Sequence, residues 1–138
     1  MKKLIVIIPM LFSLLFVAAQ ELKVPDAVLE AFETKYPDAG KVTWKIKNDA
    51  YQAQFNYESK RLAYFANDGK WLKTATMIDE MDLPENVVEY VMDNYDTADF
   101  TQLQYVINNK DQSYYLVIFE LDGEKIKLKF DDEGEILQ

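Results

Sequence analysis

Two segments of the chain carry apolar residues at a spacing of four, which places them on one face of a helix. These residues are Val24, Val28, Phe32 and Tyr36 in the first segment, and Leu83, Val87, Val91 and Tyr95 in the second. A proline follows the first apolar residue of each segment, at Pro25 and Pro84, and an acid follows each proline. Proline suits the first helical position, and an acid suits the positive end of the helix dipole. The sequence predicts two helices that begin in the same way.

Each predicted helix is followed by segments in which apolar and polar residues alternate, as in antiparallel strands with one buried face. The apolar residues expected to face the helices are Val42, Trp44, Ile46, Tyr51, Phe55, Tyr115, Val117, Phe119, Ile126, Leu128 and Phe130. Turn residues separate these segments. Asp68-Gly69 and Asp122-Gly123 are the strongest hairpin signals, because glycine accepts the positive φ of a type I′ turn.

Helix face, turns and strand pattern recur in one order, which indicates an internal duplication. The predicted fold class is α+β, with two tandem repeats. Each repeat is a helix followed by a four-stranded antiparallel sheet, and the helices lie on one sheet face. The joint is expected near residues 79–82. The predicted repeats are residues 20–80 and 81–138, and together they are expected to form one compact domain.

The N-terminal segment has the features of a secretory signal peptide. Lys2 and Lys3 precede an apolar run, and small residues at Val17 to Ala19 fit cleavage after Ala19, so residues 1–19 are the predicted signal. An uncleaved membrane anchor is the alternative, but the run is shorter than the roughly 20 residues that span a bilayer. The mature protein is therefore expected to be periplasmic or secreted by a bacterium, without membrane attachment.

Composition restricts the chemistry. The 138 residues include 15 Lys and Arg against 24 Asp and Glu, with no His and no Cys, for a net charge of -9. No disulfide, thiolate nucleophile, imidazole ligand or Ser-His-Asp triad is possible. The acidic balance disfavours nucleic acid and anionic membrane surfaces as partners. What remains is a binding module, or an enzyme limited to carboxylates, lysine, tyrosine and hydroxyls.

The acidic residues do not form a recognisable site. The groups around residues 93–99 and 131–135 lack the spacing of a calcium-binding EF-hand loop, so solvated acids are predicted there. No predicted strand presents an inward acid of the kind that glycoside hydrolysis needs. We therefore predict no catalytic residue, metal or cofactor. Lys125, Lys127 and Lys129 form a stripe that is typical of lysines protecting an edge strand.

The sheet face away from the helices differs between the two halves. Gln52 and Gln54 make it polar in the first half, whereas Leu116 and Ile118 make it apolar in the second. Alternation places a predicted patch on this open face, formed by Leu62, Tyr64, Val106, Tyr114, Leu116 and Ile118. An exposed apolar patch of this kind marks an interaction surface. Two alternatives are that the open faces of two sheets meet each other, or that a loop covers them. A bulge within residues 59–66 would turn Leu62 and Tyr64 to the other side.

The repeated features resemble the PepSY-like family of small exported bacterial proteins, described as similar to the beta-lactamase inhibitor protein. The resemblance rests on the helix starts Val24-Pro25 and Leu83-Pro84, the Tyr-x-x-x-Phe strands at 51–55 and 115–119, and the Asn-Asp-Gly-Lys turn at 67–70. It covers essentially the whole mature chain. It implies tandem helix-plus-sheet units with helices on one sheet face, and partner binding or inhibition as the associated function.

These observations predict an exported, non-enzymatic binding module that engages an envelope protein or peptide through the open-face patch. The second hypothesis is a periplasmic carrier of a small molecule or cation, using the acidic surface or a cavity between the units. The sequence does not indicate an oligomeric state or the identity of the partner.

Overall fold

The computed structural model describes residues 21–96 and 98–137, so the predicted signal peptide lies outside the described residues. Within these residues, two α-helices and eight strands follow one another. In order, they are α1 (Asp26–Lys35), β1 (Thr43–Lys47), β2 (Ala50–Tyr57), β3 (Ser59–Phe65), β4 (Trp71–Met77), a 3-10 turn (Glu80–Asp82), α2 (Glu85–Asn94), β5 (Asp99–Asn108), β6 (Ser113–Leu121), β7 (Glu124–Phe130) and β8 (Ile136–Leu137).

The two helices begin and end in the same way. Each starts directly after a proline. The Pro25 carbonyl oxygen accepts from the Val28 N–H, and the Pro84 carbonyl oxygen accepts from the Val87 N–H, both at 3.0 Å. The prolines thus lie one position before the predicted one, as the residues that precede the first helical turn. Both helices stop before a tyrosine whose N–H donates to the carbonyl of the fourth residue back, at 2.8 Å in each case.

All eight strands form one antiparallel sheet in sequence order. Strand β4 pairs with β5 from Lys73↔Asn108 to Met77↔Gln104, which joins the strands of the two halves edge to edge. The alternative in which the open faces of two separate sheets meet each other is therefore wrong. The physical reason is that an unpaired strand edge leaves backbone N–H and C=O groups unsatisfied, and joining β4 to β5 pairs them. The chain is an α+β protein with two helices and an eight-stranded open sheet.

Both helices pack on the same sheet face. Around α1, the Phe32 and Phe55 rings lie 5.1 Å apart, and around α2 the Tyr95 and Phe119 rings lie 5.0 Å apart. The two apolar clusters share this face because paired residues connect them across β3 to β6. Ile46 is an exception to the predicted core, since it is 57% exposed. It lies on β1, which has a partner on one side only, so neighbouring strands give it little cover.

A bulge interrupts the pairing of β3 with β4. Tyr64 is opposite Lys73 and Phe65 is opposite Trp71, which leaves Leu72 of β4 unpaired. Because the extra residue belongs to β4, the alternation of β3 is intact, and Leu62 and Tyr64 remain opposite Gln54 and Gln52. In the described part of the chain, no helix is both long and apolar enough to cross a membrane.

The turn before β4 approaches α1 so closely that only glycine fits. Gly69 has φ +89, and a Cβ there would lie 2.5 Å from the Ala27 carbonyl oxygen. Asp68 keeps a negative φ, so this turn has one positive-φ residue rather than the two of a type I′ turn. Asp122 and Gly123 both have positive φ, as predicted for that hairpin.

Replacing Gly69 with alanine is expected to lower the free energy of unfolding by about 3 kcal/mol, since it combines a strained φ with a backbone clash. Gly40→Ala is the matched control, because Gly40 has φ +68 but nothing within 4 Å of the added Cβ. Its expected cost is about 1 kcal/mol of backbone strain. Urea unfolding followed by tryptophan fluorescence measures both, and equal losses would contradict the close approach of the turn to α1.

Candidate functional site

The sheet register places the predicted patch on the open face, opposite the helices. Leu62, Ala75, Val106 and Tyr114 are successive partners across β3, β4, β5 and β6. Tyr64 lies further along β3 on the same face, and Leu116 and Ile118 further along β6.

The centre of this patch is buried and its periphery is accessible. Leu62, Val106 and Ile118 are 8%, 2% and 5% exposed, whereas Tyr64, Tyr114 and Leu116 are half-buried. Leu62, Val106 and Ala75 form one cluster, against which the half-buried residues and Met77 pack. Ile118 lies on the same face without belonging to that cluster. A partner that approaches the open face would first meet the two tyrosines and Leu116.

The structure adds Ala75 and Met77 of β4 to the patch, and neither residue was predicted to lie there. If alternation were strict along β4, Ala75 and Met77 would share a sheet face with Trp71. Trp71 packs against the α1 core, on the face opposite the patch. The bulge at Leu72 breaks this alternation. The sequence signal that could have found them is the short apolar side chain of Ala75 beside the polar Thr74 and Thr76.

Lysines surround the patch. The Lys73 Nζ lies 4.8 Å from the Tyr64 ring centre, and the Lys129 Nζ lies 4.9 Å from the Tyr114 ring centre. Partial burial lowers the pKa of Lys73, and repulsion from Lys129 lowers it further. Burial raises the pKa of Tyr114, with a smaller effect from Tyr64. Each lysine thus lies close to a patch tyrosine ring, in a cation–π contact.

The charge of the chain is unevenly distributed over the fold. By register, the strand positions of the open face hold seven lysines, namely Lys45, Lys47, Lys60, Lys73, Lys125, Lys127 and Lys129. The same described positions hold two acids, Asp99 and Glu120, which are paired with each other at one corner. The whole chain carries 24 acids against 15 bases. The open face is therefore basic on a protein that is acidic overall.

A second feature is a cleft of about 630 Å³ on the helix face, called the central cleft below. Its floor comes from β3, β4 and β5, through Arg61, Thr74, Thr76 and Tyr105. Its walls are supplied by Lys35, Tyr36 and Trp71 on the α1 side, and by Asp79, Asp82 and Tyr115 on the α2 side. The cleft lies where the two apolar clusters adjoin, and the threonines of β4 are too small to fill it.

A hydrogen-bonded group fixes one wall of the central cleft. Thr74 is buried, and its Oγ1 accepts from Trp71 Nε1 at 2.9 Å and hydrogen-bonds with Tyr36 Oη. Burial raises the pKa of Tyr36, although the Thr74 hydrogen bond and the Arg61 charge oppose the effect. Lys35 Nζ lies 3.9 Å from the Trp71 ring centre. This wall therefore consists of neutral aromatic residues with a cation above them.

Arg61 enters the floor from β3. Its guanidinium carbon lies 4.9 Å from the Tyr57 ring centre. Its Nε is buried and, among the described residues, has no hydrogen-bond partner. Alternation along β3 places Arg61 in phase with Ala63 and Phe65, on the helix-facing side. A charged residue at an inward position is the signal in the sequence that points to this site.

The acidic groups serve local structure. Asp131 Oδ1 accepts from the backbone N–H groups of Glu133 and Glu135, at 3.1 and 2.8 Å, and thereby closes the turn before β8. Asp82 Oδ2 accepts from the Asp79 N–H at 2.9 Å. Across residues 21–96 and 98–137, no three acidic side chains are close enough together to hold a metal ion.

The fold and its surfaces define an α+β protein with a basic open sheet face and a cleft on the helix face, where the two apolar clusters adjoin. A family model described as "Putative beta-lactamase-inhibitor-like, PepSY-like" matches residues 18–60 and 49–138. The chain therefore belongs to the PepSY-like family. A comparison with curated proteins gave no match.

Solved structures share this fold. A protein from Bacteroides eggerthii, described as a "putative periplasmic" protein, has a TM-score of 0.76 at 20% identity, with 85% of this chain and 88% of that chain covered. A DUF2874 family protein from Bacteroides uniformis has a TM-score of 0.76 at 22% identity, with 84% and 88% covered. A BLIP-like protein from Bacteroides fragilis has a TM-score of 0.71 at 24% identity, with 85% of each chain covered. Identities of this size show a shared fold and no more.

Proposed function

We propose that this protein is an exported, non-enzymatic binding module whose open face engages an acidic protein of the bacterial envelope. The observation that carries the proposal is the separation of charge, with seven lysines on the open-face strands of an acidic chain. Complementary potentials accelerate association and reject partners of like charge. A lysine-rich face therefore favours an acidic partner, and the acidic remainder of the surface keeps that partner in one orientation.

The open-face patch has the composition of a binding centre. Tyrosine and methionine are enriched in protein interfaces, and Tyr64, Tyr114 and Met77 lie together around the buried Leu62 and Val106. Neighbouring side chains already restrain Tyr64, because Gln52 Nε2 donates to its hydroxyl at 2.8 Å. Side chains that are ordered before binding lose less conformational entropy when the complex forms.

The two halves of the chain support an origin by duplication, as the sequence predicts. Each half consists of a helix followed by four strands. In each half, the turn before the last strand places a positive-φ glycine against the helix, with Gly69 beside Ala27 and Gly134 beside Asn86. The proposed repeats are residues 20–80 and 81–138, and the pairing of β4 with β5 supports the proposal that they belong to one domain.

Export is part of the proposal. The features of residues 1–19 and the description of the Bacteroides eggerthii neighbour as periplasmic both support it. Mass spectrometry of the protein from a periplasmic extract is expected to find an N-terminus at Gln20. A retained Met1 would contradict cleavage after Ala19.

Site-specific photo-crosslinking in the periplasm tests the proposed surface. A photoreactive residue at Tyr114 is expected to form a covalent adduct with an acidic protein, because Tyr114 lies at the accessible edge of the patch. The same residue at Glu89, which is exposed on α2 on the opposite side of the sheet, is the matched control. Adducts at position 89 with none at 114, or a basic crosslinked protein at 114, would contradict the proposal.

A further inference from the structure

We propose that the central cleft is a binding site for a small ligand that carries a carboxylate on an aromatic or apolar body. The cleft lies on the helix face, and of the patch residues Met77 alone, at the end of β4, also lines it. Three observations carry the inference: a buried guanidinium nitrogen without a partner, a second cation at the cleft wall, and aromatic side chains around a cleft of about 630 Å³.

Arg61 is the residue that would recognise the carboxylate. A guanidinium has five N–H donors in a planar fork that matches a carboxylate in a bidentate pair. A buried donor without an acceptor is unfavourable, and Arg61 Nε is such a donor within the described residues. Because Nε itself is enclosed, a carboxylate in the cleft would accept from the terminal guanidinium nitrogens and bring its negative charge beside the unpaired Nε. The Tyr57 ring restrains the guanidinium before the ligand arrives.

Lys35 adds a second positive charge on the α1 wall, because its Nζ is held above the Trp71 ring. The wall beneath it is already fully hydrogen-bonded, since Thr74 Oγ1 engages both Trp71 and Tyr36. This wall therefore offers an aromatic surface to the body of a ligand while the cations face its charged end. The Tyr105 ring of the floor and the Tyr115 ring of the α2-side wall lie 5.0 Å apart and extend the apolar surface.

The wall opposite Lys35 is acidic, so the cleft has a positively charged side and a negatively charged side. Asp79 and Asp82 line the α2 side, and Asp82 already accepts from the Asp79 backbone N–H. They would repel the carboxylate and so direct it toward Arg61 and Lys35. The volume lies within the range of roughly 300–1,000 Å³ that small-molecule sites occupy, so the ligand has the size of a small metabolite rather than of a protein.

Three compounds with one phenyl body and different charge test the inference. They are 3-phenylpropionate, its neutral amide 3-phenylpropionamide, and the cation 3-phenylpropylamine. Titration calorimetry with the mature protein is expected to show that the carboxylate binds at least about tenfold more tightly than the amide, which corresponds to about 1.4 kcal/mol. In NMR spectra, the indole N–H signal of Trp71 is expected to shift on binding, and that of Trp44, which lies outside the cleft, is not.

Variants locate the site. Arg61→Gln is expected to remove the preference for the carboxylate over the amide. Thr76→Phe is expected to abolish binding of both by filling the floor with Arg61 intact. Lys60→Gln is the matched control, since Lys60 is the adjacent residue of β3 but faces the other side of the sheet, and it is expected to bind as the unchanged protein does.

Each other outcome overturns the inference. If 3-phenylpropionate does not bind, or binds no more tightly than the amide, Arg61 does not recognise the carboxylate. Both results come from the unchanged protein, so they hold even if the Arg61→Gln variant does not fold. Tighter binding of the amine would assign recognition to Asp79 and Asp82 instead. If Lys60→Gln lost as much affinity for 3-phenylpropionate as Arg61→Gln, the binding would reflect the general attraction of an anion to positive charge and not a site at Arg61. Crosslinking at Tyr114 is independent of all these outcomes, so the two proposals can fail separately.

Discussion

Replacing Phe32 with alanine is expected to lower the free energy of unfolding by about 3–5 kcal/mol, the usual cost of removing a buried aromatic ring from a core. Phe32 is 4% exposed and belongs to the apolar cluster between α1 and the sheet. Its ring lies within 5.1 to 6.1 Å of four other aromatic rings, those of Tyr36, Trp44, Phe55 and Phe65. Alanine would leave all four without their common neighbour, and α1 would lose its principal anchor.

Urea unfolding of the mature protein measures this loss. Phe32→Leu keeps most of the apolar volume and is expected to cost clearly less than alanine, because volume-conserving changes are tolerated best. Met81→Ala is the surface control, since Met81 is 95% exposed and is expected to change stability by less than about 0.5 kcal/mol. A loss for Phe32→Ala as small as that for Met81→Ala would show that α1 is not held by its aromatic contacts.

The helices and their faces could be predicted from the sequence because their determinants are local. The four-residue spacing identified Val28 and Phe32 of α1, which are buried in the structure. The pairing of β4 with β5 could not be predicted, since alternation gives the face of each residue but not the neighbour of each strand. Ile46 was wrongly predicted as core for the same reason, because only the strand order shows that β1 lies at an edge.

The open-face patch was predicted in part. The alternation of β3 and β6 gave the correct face for Leu62 and Leu116, because neither strand takes up an extra residue at these positions. The same reasoning failed at β4, where Leu72 shifts the phase by one residue. The central cleft depends on how far apart two helices lie on a common sheet. No local pattern contains that distance, although the charge of Arg61 at an inward position was visible.

Reversing the charge of Lys73 and Lys129 together is expected to weaken binding of the acidic partner captured through Tyr114 by about a hundredfold or more. Close charge pairs in interfaces show coupling energies of about 1.5–7 kcal/mol, and a hundredfold corresponds to about 2.8 kcal/mol. Both lysines lie within 5 Å of a patch tyrosine, so glutamate at these positions would place two like charges against the partner at the centre of the surface. Lys73→Glu, Lys129→Glu is therefore the sharpest test of charge complementarity.

Lys41→Glu, Lys110→Glu is the matched control, since it makes the same change in net charge at exposed loop positions outside the open-face strands. It is expected to weaken binding by less than about fivefold, because exposed charges beyond the contact are screened by salt within about 10 Å. The partner's affinity for the unchanged protein should also fall as salt rises, while its affinity for the Lys73→Glu, Lys129→Glu protein should depend on salt much less.

Two outcomes would contradict this prediction. Equal losses of affinity in both double variants would mean that net charge alone attracts the partner. An unchanged affinity in Lys73→Glu, Lys129→Glu would mean that the open face takes no part in the interaction.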